Sequence, residues 1–167
     1  MSVALGNAEN QDDLNEIRLE LAEQGYIRRS KLSIPRKKSA SEPLKFRTSG
    51  GYTVLCGKNN YQNDRLTRQE CGPDDLWFHA KGYHGAHVVM LCGKDEPGAG
   101  DYTQAAVIAA TYSGADGSGK ITVDYTRVKY LKKPPASRPG YVTFSKNNSA
   151  NVSPDRSLCE KLRVKQA

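Results

Sequence analysis

The residues best equipped for chemistry fall in one stretch, DDLWFHAKGYHGAHVVM, residues 74–90, which holds Trp77 and all three histidines, His79, His84 and His87, with Lys81 between them. Imidazole titrates near neutrality, binds metals and donates or accepts hydrogen bonds, so three chemistries compete. A metal site needs His79 and His87 on one face. Strand side chains alternate, and a four-residue loop at Gly82–Gly85 pairs Lys81 with Ala86, which sends the two rings to opposite faces. No carboxylate or cysteine is spaced to complete a metal shell, so no cofactor is expected. A catalytic base is the second possibility, that of a His-dependent hydrolase acting on RNA, but the sequence offers no identifiable nucleophile or partner acid. In the third, Lys81, His79 and His84 donate to phosphate or 2′-hydroxyl groups and Tyr83 offers a ring for stacking. Against all three stands plain hydrogen bonding within the fold, the better account of His87 beside Val88 and Val89. Trp77, between Leu76 and Phe78, reads as core.

A second candidate is GKNN, Gly57–Asn60. A strand runs through Gly57 into a helix whose first amides lack intrahelical partners, with Lys58, Asn59 and Asn60 beside them. Free amides and a lysine suit a phosphate or RNA backbone. Equally, Gly57 permits the turn and an asparagine caps the helix; both readings stand. A third match, Gly114 to Lys120, satisfies G-x-x-x-x-G-K but places Ile121 where a magnesium-binding Ser or Thr belongs. A helix precedes this loop and a strand follows, the reverse of a phosphate loop, so it is a connector.

The elements that must position these groups follow from periodicity and punctuation. Asp12–Gln24 reads as a helix with Leu14, Ile17 and Leu21 on one face, Asp12 as cap and Gly25 as stop. A basic connector follows with Arg28, Arg29, Lys31, Arg36, Lys37 and Lys38, read as a solvated linker or an RNA contact. Leu44–Thr48 and Tyr52–Cys56 form a hairpin around Ser49-Gly50-Gly51, and Tyr61–Gln69 a short polar helix. Strands are expected at Leu76–Ala80 and Ala86–Cys92, a helix at Asp101–Tyr112, and a strand at Ile121–Tyr125 that Arg127–Leu131 extends. Leu131–Gly140 contains too much proline for a central strand. Tyr141–Ser145 and Ala150–Ser153 are expected to pair as a last hairpin, and Ser153 to cap a terminal helix with Pro154 in its first turn. The fold class is therefore α+β, a mainly antiparallel sheet built from hairpins with flanking helices. Residues 1–39 form an N-terminal helix and basic linker, and residues 40–167 one domain.

A formal charge of +7 over 167 residues favours an anionic partner. The four cysteines, Cys56, Cys71, Cys92 and Cys159, show no C-x-x-C spacing and read as reduced thiols of a cytoplasmic protein. No signal peptide or membrane-spanning run is present.

Taken in order, these stretches resemble the NFACT-R domain, the C-terminal RNA-binding module of the RqcH/FbpA family. FRTSGGYTVLCGKNNYQNDRLT resembles the family's hairpin followed by its G-[KR]-N-N-x-x-N-D pattern at Gly57, Lys58, Asn59, Asn60, Asn63 and Asp64. DDLWFHAKGYHGAHVV carries the D-L-W-x-H…G-x-H signature at Asp75, Leu76, Trp77, His79, Gly85 and His87. AAVIAATYS is similar to its alanine-rich helix, VDYT to its following strand and KKPPASRPGYV to its K-K-P…P-G-x-V element, while EIRLELAEQGYIRR resembles the end of the preceding helical region. Tyr83-His84 departs from a more usual Ile-Pro, so no role is carried over to His84.

The resemblance implies a non-enzymatic module that contacts tRNA and the large ribosomal subunit during rescue of stalled subunits, in a protein that supports C-terminal alanine tailing. It also implies coiled-coil and NFACT-N domains preceding the module in full-length relatives, so the sequence reads as an isolated module. Lys58, Asn59, Asn60, Asn63, His79 and Lys81 are the expected RNA contacts, with Lys129, Lys132 and Lys133 as a secondary electrostatic patch. Because relatives have been described as fibronectin-binding proteins, a fibronectin-binding adhesin domain is the alternative.

Overall fold

The computed structural model describes residues 7–9, 11–23, 41–114 and 119–164. The basic connector Arg28–Lys38, the Gly25 stop and part of the Gly114–Lys120 connector lie outside these. The element order is α1 (Gln11–Glu23), β1 (Leu44–Arg47), β2 (Thr53–Cys56), α2 (Asn60–Arg68), β3 (Leu76–Ala80), β4 (Val88–Leu91), α3 (Ala99–Thr111) and β5 (Ile121–Arg127). A 3-10 turn at Val128–Tyr130 leads to β6 (Leu131–Lys132), β7 (Thr143–Phe144), β8 (Asn148–Val152) and α4 (Arg156–Leu162). Six strands form one sheet in the order β1-β2-β4-β3-β5-β8, every neighbouring pair antiparallel, and β6 with β7 forms a separate two-stranded arm. This is the α+β fold that the hairpin punctuation implies.

Strand parity sorts the side chains onto two faces. Phe46, Val54, Cys56, Phe78, Val88, Met90 and Val123 point to one side and pack with the alanine-rich stripe of α3, Ala105 to Ala110. Small residues let that helix lie close to the sheet. Asp101, in its first turn, accepts from the amides of Gly50 and Gly98 at 2.8 and 3.0 Å and so ties the helix start to the β1–β2 turn. On the opposite side Trp77, Val89 and Leu66 form a smaller cluster, covered by α2 and by Leu131 and Val142 of the arm. The four cysteines are free thiols.

The expected extension of β5 through Arg127–Leu131 ends at the 3-10 turn, and Leu131 starts the arm instead. Four further expectations change. First, β3 and β4 pair as Leu76↔Met90, Trp77↔Val89 and Phe78↔Val88. Continuing that register sets His79 opposite His87, so the intervening turn has odd parity and the two imidazoles share a face. The four-residue loop gives way to a wider turn, in which Gly82 takes φ +80° and Gly85 lies against Ser113, just past the end of α3. A Cβ on Gly85 would stand 2.6 Å from the Ser113 Cα.

Second, the last hairpin does not form. β7 pairs with β6, and β8 pairs with β5, because the two short strands each find a longer-range partner. Third, Asp155 rather than Ser153 caps α4, its carboxylate accepting from the Leu158 amide at 3.0 Å, with Pro154 just outside the helix. Fourth, among the described side chains of α1, Ile17 is buried together with Asp13, Asn15, Glu16 and Glu20, so the face they form is largely polar, while the Leu21 side chain lies outside the described residues.

Gly85→Ala drives its new Cβ into the Ser113 backbone and should lower stability by about 1–3 kcal/mol, read as a drop in denaturant midpoint at constant slope.

Candidate nucleic-acid interface

The GKNN stretch folds as a helix entrance, as its composition dictates, but its side chains turn inward. Asn59 caps α2 by accepting from the Gln62 amide at 2.9 Å. Its amide nitrogen donates to Glu16 of α1 at 2.8 Å, and Asn60 donates to Glu20 at 2.6 Å. Lys58 is 5% exposed, with its Nζ 2.9 Å from each carboxylate oxygen of Asp13. Burial raises the Asp13 carboxyl, but the Glu9 amide, Lys58 and Ser41 outweigh it and hold it below the ordinary carboxylate range. Residues 13, 16 and 20 fall on one helical face, so α1 lays a row of carboxylates on Lys58, Asn59 and Asn60.

The next turn of α2 does equally structural work. Asn63 accepts from the His87 amide at 3.1 Å and so joins helix to sheet. Asp64 accepts from the Gly140 amide at 3.3 Å and pairs with Lys133 at 3.0 Å, which joins helix to arm. Lys133 also donates to the Arg138 carbonyl.

The histidines divide by environment. His87 is buried, and its Nδ1 accepts from Trp77 Nε1–H at 3.2 Å while the ring also bonds the Gly140 backbone. An imidazole that accepts at one nitrogen is neutral, and burial pushes its pKa down to about 3. His79 is half-buried, stacked parallel to Trp77 at 5.7 Å and edge-on to His87 at 5.1 Å. Burial lowers its pKa as well, with Asp124 and a hydrogen bond to the Gly85 backbone acting against that shift. Among the described residues no group of three or more His, Cys, Asp or Glu is placed to hold a metal ion. His84, Tyr83 and Lys81 stand exposed in the turn.

The patch Lys129, Lys132 and Lys133 lies on or beside the arm. Lys129 pairs with Asp74 at 3.3 Å and is exposed, as is Lys132. Sequence reasoning passed over the aromatic partners of these lysines. The Nζ groups of Lys129 and Lys146 sit 5.6 and 5.4 Å from the Tyr130 ring centre. Phe144 packs on Trp77 at 5.7 Å with 37% of its surface still exposed, and Tyr141 is 55% exposed. The signal was available, since lysine and aromatics interleave from Lys129 to Lys146.

Residues 43–146, a span that covers five of the six strands of the main sheet together with α2, α3 and the arm, match the family model described as NFACT protein RNA binding domain. The chain belongs to that family. The Rqc2 homolog RqcH of Bacillus subtilis (strain 168) is 37% identical over 153 residues, covering 90% of this chain and 26% of the relative. That of Streptococcus suis (strain 05ZYH33) is 36% identical over 152 residues, 91% and 27% of the respective chains. The chain thus spans about a quarter of these relatives' length. Among solved structures, the C-terminal part of the fibronectin/fibrinogen-binding protein from Streptococcus suis superposes with TM-score 0.84 at 35% identity, covering 97% of this chain and 64% of that one. No described helix is long and apolar enough to cross a membrane.

In this NFACT RNA-binding domain the motif residues therefore act as fasteners. Removing one partner of a buried ion pair leaves an uncompensated charge, so Asp13→Ala or Lys58→Met alone should cost about 3–5 kcal/mol. The double replacement Asp13→Leu/Lys58→Met should recover most of that loss in denaturant unfolding.

The His87 shift makes stability depend on pH. Its folded pKa lies below the ordinary 6.5, so the unfolded chain binds the extra proton. Stability is complete above pH 6.5 and falls as pH drops from there towards 3, by about 1.4 kcal/mol per pH unit for each proton taken up. His87→Gln should remove one proton's worth of that slope between about pH 4.5 and 6, above the range where carboxylates titrate.

Proposed function

We propose that this chain is the RNA-binding module of a ribosome-associated quality-control factor, contacting tRNA or large-subunit ribosomal RNA during rescue of stalled large subunits. In this reading it serves a protein that adds C-terminal alanine tails, and the module itself carries out no bond chemistry. The observation that carries the reading is the match of residues 43–146 to an RNA-binding family on a chain of formal charge +7. The RqcH relatives, which match over most of this chain, support the ribosomal setting. Coiled-coil and NFACT-N domains precede the module in that setting, which is cytoplasmic.

Direct contact is assigned to exposed groups. Lys81, Lys129 and Lys132 meet phosphates, His79 offers the accessible part of its ring, and Lys133 contributes field beside its Asp64 partner. Lys58, Asn59, Asn60 and Asn63 act at one remove. Their polar atoms are committed to α1, to α2 and to the His87 amide, and a buried ammonium already paired with a carboxylate gains little from a phosphate. Their part is to hold the hairpin and the arm in place.

Binding of tRNA should weaken steeply with salt, because lysine–phosphate contacts release counterions and log K falls linearly with log salt. Lys81→Ala and Lys132→Ala should each reduce that slope, by about 0.7–0.9 for each phosphate no longer neutralised. Absence of tRNA and ribosomal RNA binding even at low salt would remove the reading, and saturable binding to fibronectin without RNA binding would replace it with the adhesin.

A further inference from the structure

We propose that the outer side of the β6–β7 arm binds unpaired nucleotides of an RNA, with Tyr141 as the stacking platform and Lys132 and the lysines around Tyr130 as its phosphate contacts. This rests on the RNA-binding reading above and adds to it which form of RNA is recognised, and by which residues.

The arm has two sides with different duties. Leu131 pairs with Phe144, and Lys132 with Thr143. Leu131 and Val142 pack against the Trp77 cluster, and Phe144 lies on the Trp77 ring. Alternation then turns Lys132, Thr143 and Tyr141 away from the sheet, and all three are exposed. Tyr130, whose carbonyl accepts from the Ser145 amide at 3.1 Å, extends the same outer side and gathers Lys129 and Lys146 about its ring. Cations thus flank an aromatic surface from which one tyrosine projects.

The platform is held rigidly although its ring is not packed. Gly140, the residue before Tyr141, donates its amide to Asp64 and bonds through its backbone to the His87 ring. It adopts φ +83°, and a Cβ there would come within 2.8 Å of Asn60 Oδ1. The Tyr141 amide donates to the Arg138 carbonyl at 3.1 Å. Fixing the backbone on both sides of an exposed ring lowers the ordering cost of binding at that ring.

The occupant follows from the chemistry of the two groups. Every base has a π-face, so an exposed phenol ring stacks on whichever base is offered, while lysines follow the backbone. In an A-form duplex the bases are stacked on each other and the deep groove is closed to side chains, so Tyr141 finds no base there. Unpaired bases in loops, bulges and single strands satisfy both groups.

The test uses the full chain with two fluorescein-labelled probes, a short unstructured RNA and a blunt RNA duplex of the same length, followed by anisotropy over a range of salt. The single strand should bind more tightly. Tyr141→Ala should weaken single-strand binding by roughly 5- to 150-fold with its salt slope unchanged, since the ring stacks on a base and neutralises no phosphate. Tyr141→Phe should restore most of the affinity, because the ring and not the hydroxyl stacks. Lys132→Ala should instead lower the slope by about 0.7. Equal binding of duplex and single strand, or wild-type affinity of Tyr141→Ala, would overturn the inference while leaving RNA binding intact. Binding of neither probe nor of tRNA at low salt would remove both readings.

Discussion

The structure depends on a set of buried polar contacts at the first two turns of α2. Here Lys58, Asn59, Gln62, Asn63 and Asp64 meet α1, the segment before β1, the hairpin turn and the arm. Polar groups removed from water cost free energy unless each finds a partner, and such contacts are directional where apolar packing is not. These contacts fix the mutual geometry of four parts of the chain, beside the apolar cluster that α2, the hairpin and the arm share. Asn63 accepts from the His87 amide just past the β3–β4 turn, beside the bond from the Gly57 amide to the His87 carbonyl.

The Trp77–His87 pair carries that geometry from the sheet to the arm. The indole N–H needs an acceptor once Trp77 is buried at 2% exposure, and His87 supplies it from the facing strand. Keeping the ring neutral leaves its other nitrogen to bond the Gly140 backbone. A histidine suits this position because it can accept and donate in opposite directions within one plane. The two histidines that looked like a reaction centre thus spend their chemistry on position: His87 entirely, His79 in part through its stack on Trp77 and its contact with Gly85.

Much of the fold was legible in residue order. The Ser49-Gly50-Gly51 turn, the Ile121–Tyr125 alternation and the alanine stripe of α3 each state their own local structure, and strands joined by turns with helices between them give the α+β class. Trp77 as core and His87 as an internal hydrogen-bonding group were also readable, since each sits between apolar neighbours. The inward turn of GKNN was not. Gly-Lys-Asn-Asn before a helix looks the same whether its partner is a phosphate or a carboxylate, and the partner here lies some forty residues earlier at Asp13, Glu16 and Glu20. The β3–β4 register was equally hidden, because a turn's parity depends on what Gly85 lies against.

What the sequence by itself determined is the inventory: which segments are strands, which are helices, where the charge lies, and which signature the chain carries. Those are local properties, written in periodicity, turn residues and composition. The tertiary structure alone decided which side chains remain available for binding. Burial and pairing depend on contacts between distant segments, so a lysine at Lys58 and a lysine at Lys132, alike in sequence, end as an internal fastener and an exposed cation. The same long-range contacts left Tyr141 bare on a backbone that is fixed on either side.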